Sequence, residues 1–292
     1  APEPGFRDEA LRAEPGDLAT LIYTSGTTGV PKGAMLTHGN LAYMVVATRQ
    51  HRTVPAGPGD VALSILPLSH VLERAASLYF WDSGVTIAYA ESIDAVSDNL
   101  IEVRPHLMVS VPRLFEKIHQ KVVGGGGLKG RIARWASEVG GRVVDRRLEG
   151  RTAPVADRLQ FALADRLVFS KLREKTGGRL RTFISGGAPL AAHVGRLFFA
   201  AGMPVHEGYG LTETSPVLTA NQPGAVRLGT VGRPYPGVEI MLGADEEILA
   251  RTPGLMDGYW KNPEATSLAI DDDGWFHTGD VGYLEEDTFL HV

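Results

Sequence analysis

The chain has 292 residues, with 29 Lys and Arg against 34 Asp and Glu, a net charge of −5 and a hydrophobic fraction of 43%. That length and composition fit one large globular domain or two smaller ones, able to bury a core unaided, and exclude a disordered or fibrous chain. The absence of cysteine excludes a disulfide framework, cysteine-ligated zinc, iron–sulfur clusters and thiol catalysis.

Residues 1–9 lack the basic and apolar regions of a signal peptide and read like the start of a piece cut from a longer chain. The apolar run 61–68 is interrupted by Ser64 and Pro67 and falls short of the ~18 residues that a membrane span needs. A cytoplasmic protein is expected. Short apolar runs predict strands over 18–24, 61–66, 85–89, 106–111, 181–184 and 204–206. Helical spacing predicts helices around 40–52, 71–81, 93–104 and 112–122. This alternation implies an α/β fold with a largely parallel sheet and helices on both faces, whose ligands sit beyond the carboxyl ends of the strands.

Residues 128–176 break the rhythm. Leu128, Ile132, Trp135, Val139 and Val143 recur at steps of three and four, an amphipathic helix, and a second helix is expected around 154–175. From Lys129 to Arg181 there are 14 basic against 6 acidic residues, a local +8 in a chain that is otherwise −13. Such a stripe, with Trp135 and Phe169 in it, can rest on an anionic membrane or simply be the solvated face over an apolar seam. After Pro216 the pattern becomes short strands over 229–232, 238–242, 247–251 and 279–284. The expected organisation is therefore an α/β core over 1–215, carrying the basic helical insertion 128–176, and a small β-rich subdomain over 216–292.

Four motifs carry chemistry. Thr24-Ser25-Gly26-Thr27-Thr28-Gly29, then Lys32, follow the first strand. Backbone N–H groups and hydroxyls there can face phosphate oxygens while Lys32 adds a point charge; a polar turn has the same composition. Pro31 and Gly33 stand where a Walker A loop needs Gly and Ser or Thr. Ser185-Gly186-Gly187-Ala188-Pro189-Leu190 lets a ring or phosphate approach the backbone closely, or is a tight turn feeding a helix with Pro189 in its first turn. Glu207-Gly208-Tyr209-Gly210-Leu211-Thr212-Glu213 offers an aromatic face, a hydroxyl and a carboxylate of the kind that Mg²⁺ takes beside phosphates. Gly274 to Asp280 ends in a carboxylate that can accept two ribose hydroxyl protons, or in an Asx turn.

In this order the four motifs resemble the adenylate-forming superfamily of acyl-CoA synthetases, luciferases and peptide-synthetase adenylation domains. His70-Val-Leu-Glu-Arg74 and the long basic stretch between Pro112 and Ser185 are most like the AMP-forming long-chain fatty acid–CoA ligases. The resemblance implies that residues 24–29 and Lys32 hold the ATP β- and γ-phosphates. It also implies that Gly186, Gly187 and Ala188 line the adenine and acyl pocket, that Glu207, Gly208, Tyr209, Gly210 and Leu211 complete the nucleotide site, and that Tyr209 lies against adenine. Thr212 would contact the α-phosphate, Glu213 the Mg²⁺, Asp280 the ribose, and His70 the carboxylate end of the acyl pocket. Arg74 has only the motif, and an ion pair with Glu73 or another acid serves as well. The implied reaction is activation of a long-chain fatty acid by ATP to an acyl-adenylate, with CoA as the later acceptor. An aryl-CoA ligase, a fatty acyl-AMP ligase or a non-catalytic nucleotide- or lipid-binding module are the alternatives.

The family's chains run about twice this length, and this one stops before the family's hinge and small lid domain. Weak adenylation and no thioester formation are therefore expected of it. Gly125-Gly-Gly-Leu-Lys-Gly130 matches a dinucleotide fingerprint formally, but helical rather than strand spacing precedes it, so a linker is expected. The histidine spacing offers no zinc cage, Asp271-Asp-Asp-Gly274 reads as a turn, and nucleic acid is not an expected partner.

Overall fold

A computed structural model describes residues 5–24, 30–286 and 288–292. A short helix α1 (Phe6–Ala10) leads to an antiparallel hairpin of β1 (Leu18–Thr24) and β2 (Lys32–Thr37) in which Thr24 pairs with Lys32. Helix α2 (His38–His51) starts with a reciprocal cap: the Thr37 hydroxyl accepts from Asn40 N, and the Asn40 side chain accepts from Thr37 N. The Asn40 amide also donates to the carbonyls of Pro253 and Leu255, tying α2 to a distant loop. The chain continues through β3 (Val61–Ser64), α3 (Val71–Asp82), β4 (Thr86–Tyr89), α4 (Val96–Val103), β5 (Leu107–Ser110), α5 (Pro112–Val123), α6 (Gly127–Leu148) and α7 (Val155–Ala164). A π turn over Asp165–Phe169 joins α7 to α8 (Ser170–Lys175), followed by β6 (Thr182–Ser185), α9 (Ala192–Ala200) and β7 (Val205–Tyr209).

The central sheet has seven strands, in the order β4-β3-β5-β6-β7 and then β8 (Thr219–Ala220) and β9 (Arg233–Pro234). The first five are parallel and the last two antiparallel. Alternate residues of the inner strands enter different cores. Met108 and Phe183 pack with α5, α6, α8 and α9, whereas Leu107, Val109 and Ile184 pack with Tyr79 and Phe80 of α3. A strand covered on both faces reads as an unbroken apolar run, which is why these strands were legible. Phe115, Phe183 and Phe198, all fully buried, meet edge to face at centroid distances of 5.2–5.6 Å.

A second sheet consists of β10 (Glu239–Leu242), β11 (Glu247–Arg251) and β12 (Phe276–Val281), with α10 (Pro263–Ala269) between the last two. A two-stranded ribbon of β13 (Tyr283–Glu285) and β14 (Phe289–His291) follows.

Several expectations change. β1 is not part of the parallel sheet: among the described residues it pairs only with β2, a strand absent from the sequence reading, in a separate hairpin. Of the chain after 215, β8 and β9 extend the central sheet rather than joining a separate β-rich unit. Residues 229–232 are not a strand, and 279–284 is split between β12 and β13. α9 begins at Ala192, so Pro189 precedes it. Leu128 is 70% exposed in the first turn of α6, outside the seam that Val139 and Val143 join. Gly124 ends α5 and Gly126 starts α6, so the glycine run is a helix–helix corner. A Cβ on Gly130 would stand 1.6 Å from the Gly125 carbonyl oxygen, which is why glycine occupies that position. The Asp271 turn is present: its Oδ1 accepts from Asp273 N and Trp275 N.

Candidate active site

A cavity of about 780 Å³ opens beyond the carboxyl ends of β6 and β7 and runs between α2 and α3. Its two parts differ in chemistry. One is polar, with Thr24, Lys32, Tyr209, Thr212, Glu213, Thr278 and Asp280; the other is mostly apolar, with Met44, Leu72, Ala75, Phe80, Val109 and Val217.

The polar part is assembled from three places in the chain. The β1–β2 hairpin brings Thr24 and Lys32 side by side. Lys32 Nζ lies 5.2 Å from the centre of the Tyr259 ring, within cation–π range. The Tyr259 hydroxyl donates to Glu213 Oε1 at 2.7 Å, and Glu213 is only 7% exposed. One aromatic ring therefore holds a cation on its face and a carboxylate at its edge. Burial first, then the Glu213 carboxylate, push the Tyr259 phenol far above its ordinary pKa, so it remains a donor. Opposite, the Tyr209 hydroxyl donates to Asp280 Oδ2 at 2.7 Å, and burial raises that phenol's pKa as well. β12 is fixed under Asp280 by Thr278, whose hydroxyl donates to the Ile248 carbonyl at 2.7 Å.

Gly210 makes the turn between Tyr209 and Thr212 feasible. Its φ is +155°, and a Cβ there would stand 1.8 Å from the Pro216 carbonyl oxygen. Thr212 and Glu213 follow in a single 3₁₀ turn.

His70 has two positions at once. Its Nδ1 accepts from Leu72 N at 3.2 Å, which caps α3, and its ring lines the cavity. An accepting Nδ1 places the ring proton on Nε2. Arg74 makes no ion pair with Glu73; its Nε reaches the Leu68 carbonyl at 3.3 Å, while Glu73 is 1% exposed on another side of the helix. Burial raises the Glu73 pKa.

Among the described candidates, Thr24, Lys32, His70, Gly186, Gly187, Gly208, Tyr209, Gly210, Leu211, Thr212, Glu213 and Asp280 line this one cavity. Ala188 and Glu207 do not. Ala188 is exposed on the turn after Gly187. The Glu207 carboxylate is 5% exposed and turns to the chain before α9, where Oε1 accepts from Leu190 N at 3.0 Å. Burial pushes its pKa up to about 7. Ser25, Gly26, Thr27, Thr28 and Gly29 lie outside the described residues. The sequence reading missed Tyr259, His277 and Thr278. Tyr259 is preceded by Gly258 and followed by Trp260 and Lys261, and those aromatic residues were the available signal.

Residues 3–260 match the profile of a family described as AMP-binding enzyme. The chain belongs to that family. The chain is 41% identical over 290 residues to the long-chain-fatty-acid–CoA ligase FadD15 of Mycobacterium tuberculosis, covering 97% of this chain and 47% of that protein. It is 37% identical over 287 residues to the peroxisomal long chain acyl-CoA synthetase 7 of Arabidopsis thaliana, covering 92% and 40%. Thus it spans about half the length of the curated relatives it matches. Among solved structures, ATP-bound MatB of Rhodopseudomonas palustris superposes with a TM-score of 0.70 at 28% identity, over 95% of this chain and 48% of MatB. The N-terminal domain of FACL13 from Mycobacterium tuberculosis, at 24% identity and TM-score 0.69, shares the fold over 94% of this chain and 60% of that one. The chain is thus an α/β relative of acyl-CoA ligases, and among its described residues no helix is long and apolar enough to cross a membrane.

Proposed function

We propose that this chain forms the adenylating site of a long-chain fatty acid–CoA ligase, activating a fatty acid with ATP. The observation that carries this reading is the continuity of one cavity from the Lys32–Glu213–Asp280 end into the apolar space along α3. An adenylate with an alkyl tail needs both parts.

The substrate carboxylate attacks the α-phosphorus of ATP, a P–O bond to the acyl group forms, and pyrophosphate leaves with the electrons of the broken P–O bond. This chain's residues position the reactants and offset the developing charge. Thr24 and Lys32 face the β- and γ-phosphates, Thr212 the α-phosphate, and Asp280 the ribose, with Tyr209 against the adenine. His70, with its proton on Nε2, donates toward the substrate carboxylate. Glycines 186 and 187 leave room for the nucleotide beside the sheet end.

A magnesium ion fits this donor set. Glu213 is a single carboxylate held by Tyr259, and Mg²⁺ takes one or two carboxylates plus phosphate oxygens. Glu213 would hold the ion, which when bound neutralises phosphate charge. Transfer of the acyl group to CoA is assigned to the longer enzyme; within this chain the nucleotide- and acyl-binding core runs through β9, and the β-rich unit begins at β10. A cytoplasmic location is part of the same proposal.

Calorimetric titration of the folded chain with two stable acyl-adenylate mimics, one with a twelve-carbon and one with a two-carbon tail, tests the reading. Tighter binding of the long tail is expected. Equal binding would retain adenylation and remove the fatty acid in favour of an acid such as an aryl carboxylate. No binding by a folded chain would remove the site.

One observation favours a membrane contact. Phe169 is fully buried and cannot meet a lipid, and Trp135 is half-buried against the core. Val155, Leu159, Leu163 and Leu167 instead form an exposed line at i, i+4 spacing beside exposed Arg158 and Arg166, a face suited to an anionic surface. Co-sedimentation with phosphatidylserine vesicles that is lost in Leu159→Glu is the expected result; equal pelleting of both proteins would remove this reading.

A further inference from the structure

The inner end of the cavity differs from its aliphatic walls. Thr48, Thr53, Tyr79 and Tyr235 line it there, and the last three are between 1% and 6% exposed. They are tied to one another and to the backbone. The Tyr235 hydroxyl donates to Thr53 Oγ1 at 3.1 Å, and Thr53 Oγ1 lies 2.6 Å from His51 Nδ1. The His51 ring stacks on Tyr235 with centroids 4.3 Å apart. Tyr79 donates to the Val54 carbonyl at 2.6 Å, and Tyr43 to the Pro236 carbonyl at 2.8 Å, which anchors the chain on either side.

The depth of this end follows from α3. His70 caps the helix and Val71, Leu72, Ala75, Ala76, Tyr79 and Phe80 all line the cavity, so it runs the length of the helix. Nine residues from His70 to Tyr79, at ~1.5 Å each, span roughly 14 Å. An extended chain advances about 1.2 Å per bond, so about a dozen chain atoms fill that stretch.

We propose that Tyr235, braced by Thr53 and His51, is the floor of the acyl part of this cavity and sets the tail length beyond which binding gains nothing. This rests on the fatty-acid reading above and narrows it to tails of about a dozen carbons. The floor does not swing aside, because moving Tyr235 would leave its own hydroxyl buried without a partner and break its stacking on His51. Removing Tyr235 opens space toward His51, and a longer tail then has somewhere to go. Ala76, midway along α3, tests the path from the other direction: a larger side chain there blocks the tail before it reaches the floor.

The experiment is a calorimetric series on the 292-residue chain with acyl-adenylate mimics of two to eighteen carbons. In the unsubstituted protein, affinity should rise about fourfold per methylene, the equivalent of ~0.8 kcal/mol, and level off near twelve carbons. Tyr235→Ala should move the plateau to longer tails, Tyr235→Phe, which keeps the ring stacked on His51 but loses the hydroxyl brace, should move it in the same direction by less, and Ala76→Leu should move it to shorter ones. If Tyr235→Ala fails to fold, judged by circular dichroism, Tyr235→Phe and Ala76→Leu still decide the matter. A rise that continues through eighteen carbons, or a plateau that none of the folded variants moves, overturns the floor while leaving fatty-acid binding in place. No gain between two and eight carbons overturns the fatty-acid reading and the floor with it.

Discussion

Replacing Glu207 by Gln changes the charge of a side chain that is 5% exposed while retaining its shape and its acceptor for Leu190 N. Burial raises this carboxyl from the ordinary 4.5 to about 7, so the folded chain holds a proton that the unfolded chain releases. Between those two values folding is opposed increasingly as pH rises, and above about 7 the loss of stability is complete. A difference of about 2.5 units at 1.36 kcal/mol each gives a cost on the order of 3 kcal/mol. Glu207→Gln does not carry it. Urea unfolding should therefore find the two proteins alike near pH 4.5 and the variant ahead by roughly 3 kcal/mol at pH 8. A gap of the same size at both pH values would refute the argument, since only a titrating group makes the gap depend on pH.

Three further outcomes are expected. Phe115→Ala, in the fully buried ring cluster with Phe183 and Phe198, should cost about 3–5 kcal/mol in chemical denaturation. His206 is 2% exposed, neither ring nitrogen has a hydrogen-bond partner among the described residues, and burial lowers its pKa to about 4. Its contribution is complete above 6.5 and fades as pH falls toward 4, so His206→Leu should flatten the acid limb of the stability profile. Tyr259→Phe removes the donor from Glu213, which should lower stability by about 1–3 kcal/mol in urea unfolding and weaken binding of an adenylate mimic, with Lys32 still over the ring.

The parallel strands were legible because burial on both faces leaves no polar alternation in runs such as Leu107–Ser110. β2 was not, because Lys32-Gly33 at its start extends a hydroxyl- and glycine-rich loop, and only the pairing across the hairpin makes it a strand. β8 and β9 have two residues each, too few for any periodic signal. α10 could have been found: Asn262 caps it by accepting from Ala265 N, and Pro263 stands in its first turn, a start signal written in the sequence. At the site, the motifs gave most of the polar lining, since each follows a strand. The motif reading cannot say which way a side chain turns, so Glu207 was grouped with Tyr209 although its carboxylate faces the Leu190 backbone. Tyr259 escaped because its function depends on Glu213, 46 positions away. The floor of the cavity was equally hidden, since Thr53 and Tyr235 meet across 182 positions.

The cavity is also a matter of timing. Its lining begins at Thr24 and is completed by Phe276–Asp280, so about 250 residues separate the first wall from the last. At ~5–20 residues per second of synthesis, the early walls wait on the order of tens of seconds for β12 to arrive. Until then a growing chain leaves the unfinished cavity lining open to water, and to any chaperone or neighbouring nascent chain that binds such surfaces. A ribosome halted just before Phe276 would thus display the cavity as a groove, with Tyr209 in place and Asp280 not yet made.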